Sequence, residues 1–172
     1  MKDIYIDFKA GTIKGDSRDK DHVGQVEATS FSHEIFQPKS ATSSTAGGHT
    51  AERVEHGELK FTKDIDYATP ALLAACSSGT IIKDVNVDFY RAYGGSAADG
   101  SQTRKKYWNI QLKNVLVASV ETNIGSNGLP AETFTLKYSA IQWSYDEIRV
   151  DGSNGQKMTK QWNLQTNTPT FA

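Results

Sequence analysis

The sequence contains only one cysteine and four prolines among its 172 residues. The single cysteine, Cys76, cannot form an internal disulfide bond, and its apolar surroundings favour a small buried side chain over a reactive thiol. Fourteen glycines beside so few prolines are typical of a β-rich chain with many turns. The length suits a single domain that spans residues 1–172 and has a sizeable core.

An excess of charge of either sign is also missing. Lysine and arginine together number 19 and aspartate and glutamate number 20, which leaves a net charge of -1. This balance argues against a nucleic-acid partner, which normally leaves a basic patch on the protein. It also argues against binding to an acidic membrane surface through clustered basic residues.

Long hydrophobic runs are absent as well. No stretch approaches the roughly 18 apolar residues of a membrane-spanning helix, so we predict no membrane insertion. The first residues, MKDIYIDFKAG, carry charges at positions 2, 3, 7 and 9 and lack the apolar region of a secretory signal peptide. We therefore expect the chain to fold in the cytoplasm and to be secreted only by a route that needs no signal peptide.

The motifs of common enzymes are missing too. The histidines are scattered, no HExxH or zinc-type spacing occurs, and there is no GxSxG, Walker or GxGxxG motif. Asp84 and Asp88 lie about 13 Å apart on a predicted strand, which is long for a glycosidase pair. We predict no catalytic, cofactor-binding or metal site and no enzymatic activity. A hydrolase in which His56 meets a carboxylate and a serine in one cleft is an alternative.

One segment, FTKDIDYATPALLAACSSG from Phe61 to Gly79, carries the signals of a helix. Thr69 is predicted to cap its start, and Pro70 to occupy its first position, where a missing N–H group costs nothing. Gly79 supplies a left-handed stop after Ser78. Because six small or apolar residues follow one another, we expect a helix over about Thr69–Ser78 that is almost entirely buried.

Alternation of apolar and polar residues predicts β-strands through most of the remaining sequence. We count about seven to nine strands and find no βα repeat. The sequence therefore predicts a mainly β fold, an antiparallel β-barrel of two packed sheets with one lateral α-helix. A change in the alternation near Lys113 and Asn114 predicts a bulge or bend.

The segment Val23–Phe36 reads as one long strand. Phe31, His33 and Ile35 share one side, which is expected to meet the core. Ser30, Ser32 and Glu34 share the opposite side, which is expected to face solvent or a polar interior.

The segment from Gln37 to Thr50 interrupts this pattern with a polar sequence rich in serine, threonine, alanine and glycine. Such a loop is longer than most connections in compact domains, so it is either disordered or functional. Its residues are Gln37, Pro38, Lys39, Ser40, Ala41, Thr42, Ser43, Ser44, Thr45, Ala46, Gly47, Gly48, His49 and Thr50. The tail from about Gln165 is also polar, and we predict that it is flexible.

Five segments, in order along the chain, resemble the haemolysin-coregulated protein (Hcp) family, the tube proteins of type VI secretion. They are DIYIDF with the following IKGDSRDKDH, QPKSATSSTAGGHTAERVEHGELKFTK, FTKDIDYATPALLAACSSG, WNIQLKNVLVASVET and AETFTLKYSAIQWSY. The resemblance implies a β-barrel with one lateral helix, hexameric rings, and stacking of the rings into a tube. It also implies that a contractile sheath expels the tube, which is capped by a spike and can carry or chaperone effectors in its lumen.

Applied to this sequence, the resemblance makes the loop over residues 37–50 the candidate contact between stacked rings. Ser30, Ser32 and Glu34 are the candidates for the lumen, by alternation alone. The implied partners are other copies of the chain, the sheath and spike proteins, and secreted effectors, with no cofactor.

A monomeric β-sandwich module that binds a ligand is the alternative in another functional class. Its binding surface would use Trp108, Trp143 and Trp162, although three tryptophans in a small β domain more often belong to a core or an interface. A mass corresponding to one ring, with no monomer in solution, would argue against this alternative.

Overall fold

The computed structural model describes residues 3–38, 53–96, 102–125, 128–149 and 152–172. Eleven β-strands and one α-helix lie in these ranges. The strands are β1 (Ile4–Phe8), β2 (Val26–Ala28), β3 (Ser30–Ser32), β4 (Ile35–Phe36), β5 (Glu55–His56), β6 (Leu59–Asp64), β7 (Ile81–Ser96), β8 (Gln102–Ile124), β9 (Pro130–Lys137), β10 (Ala140–Ile148) and β11 (Asn154–Asn163), and the helix is α1 (Thr69–Ser78). Among these residues no helix is both long and apolar enough to cross a membrane.

Nine of the strands form one antiparallel sheet. Its main path runs in the order β2-β1-β7-β8-β9-β6-β3, and β10 pairs with both β8 and β11. Strands β4 and β5 form a separate two-stranded sheet. The prediction of a mainly β, antiparallel fold with one helix is confirmed.

Strand β8 organises the sheet because it changes partner halfway along its length. Its residues from Trp108 to Lys113 pair with β10, and those from Leu116 to Ile124 pair with β9. Asn114, between the two halves, has a φ of 49°, in the left-handed region that asparagine tolerates better than most residues. The bend predicted near Lys113 and Asn114 therefore lies where the strand changes partner.

The single long strand predicted over Val23–Phe36 is wrong, because three short strands occupy that segment. Strand β2 pairs with β1, β3 pairs with β6, and β4 pairs with β5. Between β2 and β3, the amide of Thr29 donates a hydrogen bond to the carbonyl of Thr62 at 2.7 Å. The chain thus turns from one end of the main strand path to the other at Thr29, and the core-facing positions change phase there, from Ala28 to Phe31.

The core lies between the inward sides of the bent sheet. It contains the fully buried side chains of Ile6, Phe61, Ile110 and Phe134, and the Phe61 and Phe134 rings stack with centroids 5.3 Å apart. Phe31 packs against this cluster, as its predicted inward side requires. The three tryptophans pack against the same core as partly buried residues.

Helix α1 has the predicted length but a different start. Ala68 is the residue before the first turn, and Thr69 is the first helical residue instead of the cap. The Thr69 hydroxyl accepts a hydrogen bond from the amide of Asp66 at 3.2 Å and so stabilises the turn that leads into the helix. Gly79, with a φ of 64°, ends the helix in the left-handed conformation, as predicted.

The prediction that the helix is almost entirely buried is also wrong. Only Thr69 and Leu72 are buried, and Leu73 is 41% exposed. The helix packs on β8 with one side and leaves the other at the surface of the single chain. An apolar run thus shows that no side of the helix is strongly polar, but it does not show that every side is covered.

A buried ionic cluster lies where β6 meets the start of α1. The ammonium of Lys63 lies 2.6 Å from Asp66 and 3.2 Å from Glu132, and the side chains of Lys63 and Glu132 are fully buried. Neither Glu132 oxygen has a hydrogen-bond donor in the described part of the chain, so the ion pair with Lys63 is its main compensation. Lys63 also donates to the hydroxyl of Thr69, which ties the helix start to the sheet.

The tail from Gln165 folds back beside the end of β11. The side chain of Asn163 accepts hydrogen bonds from the amides of Gln165 and Thr166, and its own amide donates to the carbonyl of Ala172 at 3.3 Å. The Phe171 ring lies under the ammonium of Lys113 at 5.3 Å. The tail therefore has defined contacts, and its flexibility stays a prediction.

Candidate functional site

The strands β3, β6, β9 and the second half of β8 carry hydroxyl groups on their outward side. We call this surface the hydroxyl face and define it by Ser30, Ser32, Thr62, Ser119, Thr133 and Thr135. Strand pairing places Ser30 beside Thr62 and Thr62 beside Thr133, while Thr135 pairs with Ser119 in the next row. The hydroxyls of Ser119 and Thr135 lie 2.7 Å apart. The face is polar and can exchange hydrogen bonds with a ligand without a large apolar contact.

Two of the three candidate lumen residues lie on the same strand, and the third does not. Ser30 and Ser32 are exposed on the outward side of β3, opposite the core-facing Phe31. Glu34 is also exposed but lies between β3 and β4, where its carbonyl accepts a hydrogen bond from the amide of Gly57 at 2.8 Å. The hydroxyl-bearing residues of β6, β8 and β9 were not predicted from the sequence, although their alternation with Phe61 and Phe134 was the available signal.

The four strands of the hydroxyl face have two edges without a strand partner. Strand β3 ends the path of the sheet, so its outer edge is unpaired in the described structure. The segment of β8 from Ser119 to Ile124 pairs only with β9 among the described residues. Unpaired strand edges are ready templates for a strand of another chain.

Exposed apolar residues lie at both ends of these strands. At one end, Ile35 and Phe36 of β4 are 44% and 54% exposed, and we call them the loop-base patch. At the other end, Ile124 and Leu129 are 70% and 68% exposed around the connection between β8 and β9, and we call them the turn patch. The six residues of β6 run between the two ends, a distance of about 17 Å.

Three side chains meet beneath the loop-base patch. The hydroxyl oxygen of Tyr138 lies 2.9 Å from Nε2 of His33 and 2.7 Å from Nδ1 of His56. The His56 ring also lies 6.3 Å from the ring of Trp143. We call this arrangement the histidine–tyrosine bridge, and the separation of its members by up to 105 residues explains why sequence analysis did not find it.

The surroundings of the bridge favour uncharged side chains. Burial lowers the pKa of His33, and the neighbouring His56 lowers it further, while a hydrogen bond with the backbone of Gly57 raises it. Burial also lowers the pKa of His56 and raises the pKa of the Tyr138 hydroxyl. The bridge is thus held in a neutral state near pH 7.

The hydrolase alternative required His56 to meet a carboxylate and a serine. In the described structure its contacts are instead Tyr138, His33 and Trp143. No cluster of three or more candidate metal ligands occurs among the described residues.

Of the candidate stacking loop, Gln37 and Pro38 belong to the described structure, and they directly follow the loop-base patch. Residues 39–50 lie outside the described residues. The assignment of residues 37–50 to a ring contact therefore stays a proposal.

Sequence comparison shows a family match over most of the chain. The family described as "Type VI secretion system effector, Hcp" matches residues 5–145. Protein hcp1 of Pseudomonas aeruginosa is 34% identical over 168 residues, covering 96% of each chain. The Major exported protein of the same organism is 28% identical over 147 residues, covering 81% of this chain and 80% of its own.

Comparison with solved structures supports the same fold. The structure of a type six secretion system protein superposes with a TM-score of 0.82 at 23% identity, covering 98% of this chain and 99% of its own. The crystal structure of Hcp1 from Salmonella typhimurium superposes with a TM-score of 0.71 at 22% identity, covering 99% of this chain and all of its own, 100%. At these identities the likeness establishes the fold.

Proposed function

Because this chain belongs to the Hcp family of type VI secretion tube proteins, we propose that six copies form a ring and that the rings stack into a tube. The observation that carries this proposal is the pair of unpaired edges on the hydroxyl face. The monomeric ligand-binding alternative has no comparable support, because the three tryptophans pack against the core.

A ring requires two different patches on each copy that fit each other. The outer edge of β3 and the segment of β8 from Ser119 to Ile124 provide such a pair. Strands β3, β6, β9 and β8 alternate in direction, so β3 of one copy would meet β8 of its neighbour in antiparallel orientation. Six copies joined in this way would continue one antiparallel sheet around the ring, with backbone hydrogen bonds at each junction.

In this arrangement the hydroxyl face lines the lumen. Ser30 and Ser32 lie on it directly, and Glu34 would lie near its rim. Serine and threonine hydroxyls both donate and accept hydrogen bonds, so they can hold a polar protein surface without a matched pocket. We propose that effectors are carried or chaperoned on this surface.

Stacking would use the two ends of the same strands. The loop over residues 37–50 and the adjoining loop-base patch would contact the turn patch of the next ring. Both patches expose apolar side chains that gain from removal from water. The contact joins unlike surfaces and so can repeat along the tube axis.

The other partners follow from the role in secretion. We propose that rings assemble in the cytoplasm, that sheath and spike proteins contact the finished tube, and that the tube is then expelled and secreted. The proposed role is structural and involves no catalytic step.

Light scattering and electron microscopy of the purified chain test the proposal. We expect a mass near six times 18.9 kDa, and deletion of Ser40–Gly48 is expected to preserve this mass while abolishing stacks. Phe36→Asp should also prevent stacking, whereas Met158→Asp, an equally exposed apolar position on β11, is the matched control. A persistent monomer at micromolar concentration would contradict the ring. Loss of the ring on deleting the loop would show that the loop contributes to the contact within a ring and not to the contact between stacked rings.

A further inference from the structure

The histidine–tyrosine bridge connects two parts of the chain that have few other contacts. Among the described residues, strands β4 and β5 share two residue pairs, Ile35 with His56 and Phe36 with Glu55. The hydrogen bond from the amide of Gly57 to the carbonyl of Glu34 continues their pairing by one residue pair, and the contacts of His33 and His56 with Tyr138 link them to the rest of the fold. An isolated pair of such short strands is marginal in water, so these contacts matter for its position.

The bridge is satisfied when the histidines are neutral. The Tyr138 hydroxyl can donate its hydrogen to one imidazole and accept a hydrogen from the other. If both imidazoles are protonated, both must donate to Tyr138, and its own hydrogen loses its acceptor. The rings of His33 and His56, with centroids 6.3 Å apart, would then also repel each other as two cations.

The charged groups around the bridge do not offset that repulsion. Glu34 and Glu55 lie on the chain beside the histidines and are exposed, and Glu58 is paired with Lys137 at 3.3 Å. Trp143 and Tyr138 contribute uncharged surfaces. Among the described residues, no carboxylate is a cause of the shift in either histidine pKa.

We propose that the histidine–tyrosine bridge is a pH-sensitive contact whose protonation releases β4 and β5 and withdraws the loop-base patch from the ring-stacking surface. The stacking role rests on the proposed function, whereas release of the two strands is a property of the single chain. The tube would accordingly be held together near neutral pH and loosened in acid.

The direction follows from proton linkage. Both histidine pKa values are lowered in the closed arrangement, whereas an open, solvated histidine titrates near 6.5. The open form therefore binds more protons as the pH falls below about 6.5. Above that pH, the histidines contribute their full stabilisation to the closed form. Below it, each proton taken up on opening shifts the equilibrium towards the open form by about tenfold per pH unit.

Sedimentation of stacked rings between pH 7.5 and pH 5 is the first test. We expect the wild type to lose stacks as the pH falls below about 6.5, and His33→Gln with His56→Gln to keep them, since glutamine forms hydrogen bonds but does not titrate. His22→Gln is the matched control, because His22 lies apart from the bridge, against Tyr5. His49→Gln tests the remaining histidine. An unchanged pH midpoint in the double variant, or a loss of the response in either control, would overturn the proposal.

A second measurement keeps the bridge testable if no stacks form at any pH. Amide hydrogen exchange at Phe36, Glu55 and Gly57, corrected for the intrinsic pH dependence, is expected to rise at least tenfold more between pH 7 and pH 5.5 in the wild type than in the double variant. Tyr138→Phe should give fast exchange already at pH 7. Absence of stacks would then count against the proposed function alone, while equal exchange in all variants would refute the bridge.

Discussion

The two ends of strand β6 differ in how they are held together. At the Asp64 end, Lys63 and Glu132 are buried beside the start of α1, close to the stacked rings of Phe61 and Phe134. At the Leu59 end, β4 and β5 share two residue pairs and expose Ile35 and Phe36. The first region has many buried contacts and should open only with global unfolding, whereas the second should open locally at a much lower free energy.

This difference suits the proposed assembly, which needs both a durable ring and a reversible stack. The strands β6, β8 and β9 supply the proposed ring wall, so their stability is needed at every stage. In the proposed assembly, the loop-base patch contacts a neighbour only after the ring exists. Local opening there would then regulate stacking without a risk to the fold.

The largest expected effect is at the buried ion pair. Lys63→Met leaves the Glu132 carboxylate buried without its cation, and we expect a loss of about 3–5 kcal/mol in the free energy of unfolding. Lys63→Met with Glu132→Leu should recover most of that loss, because no buried charge remains. Lys157→Met is the control, since its pairing with Asp146 is exposed and contributes less than about 1 kcal/mol. Urea denaturation measures all three, and a mild effect of Lys63→Met alone would contradict this account.

Two phenylalanines provide the next comparison. Phe134→Ala removes a fully buried ring, so the free energy of unfolding should fall by about 3–5 kcal/mol. Phe36→Ala removes an exposed ring, so the same quantity should change by less than about 0.5 kcal/mol while stacking weakens. Denaturation of each variant, together with counting stacked rings by electron microscopy, checks both halves. A large loss of stability for Phe36→Ala would show that the loop base belongs to the cooperative core.

A smaller effect than that of Phe134→Ala is expected at Gly57. A Cβ atom added there would lie 3.0 Å from the carbonyl oxygen of Glu34, which the Gly57 amide already contacts. Gly57→Ala should therefore push β4 and β5 apart and cost about 1 kcal/mol, seen as faster amide exchange at Phe36 and Glu55. Leu129→Ala, at the opposite end of the strands, should leave that exchange unchanged. Normal exchange in Gly57→Ala would mean that the close contact is not needed for the position of β4.

Much of the fold could be predicted because its signals are local. The helix over Thr69–Ser78 follows from Pro70 and Gly79, and the bend near Asn114 follows from a change in alternation. These signals depend on residues a few positions apart. Alternation over three neighbouring residues likewise places Ser30 and Ser32 on the side of β3 opposite Phe31.

The errors arose where a local pattern has more than one tertiary outcome. The core-facing positions of Val23–Phe36 change phase between Ala28 and Phe31, but partner strands far away in sequence decide where pairing changes. The apolar run of α1 does not specify how much of the helix the rest of the chain covers. Thr69 has the chemistry of a cap, but its hydroxyl bonds with Asp66 and Lys63 instead.

The sequence by itself determined the class of fold, the position of the helix and membership of a family, because short-range periodicity and ordered motifs are written directly in the chain. Only the tertiary structure decided that β3 and the end of β8 are the unpaired edges of one face, and that His33 and His56 share Tyr138. The physical reason is that strand pairing and buried hydrogen bonds join residues tens to a hundred positions apart, and no local preference encodes those partners.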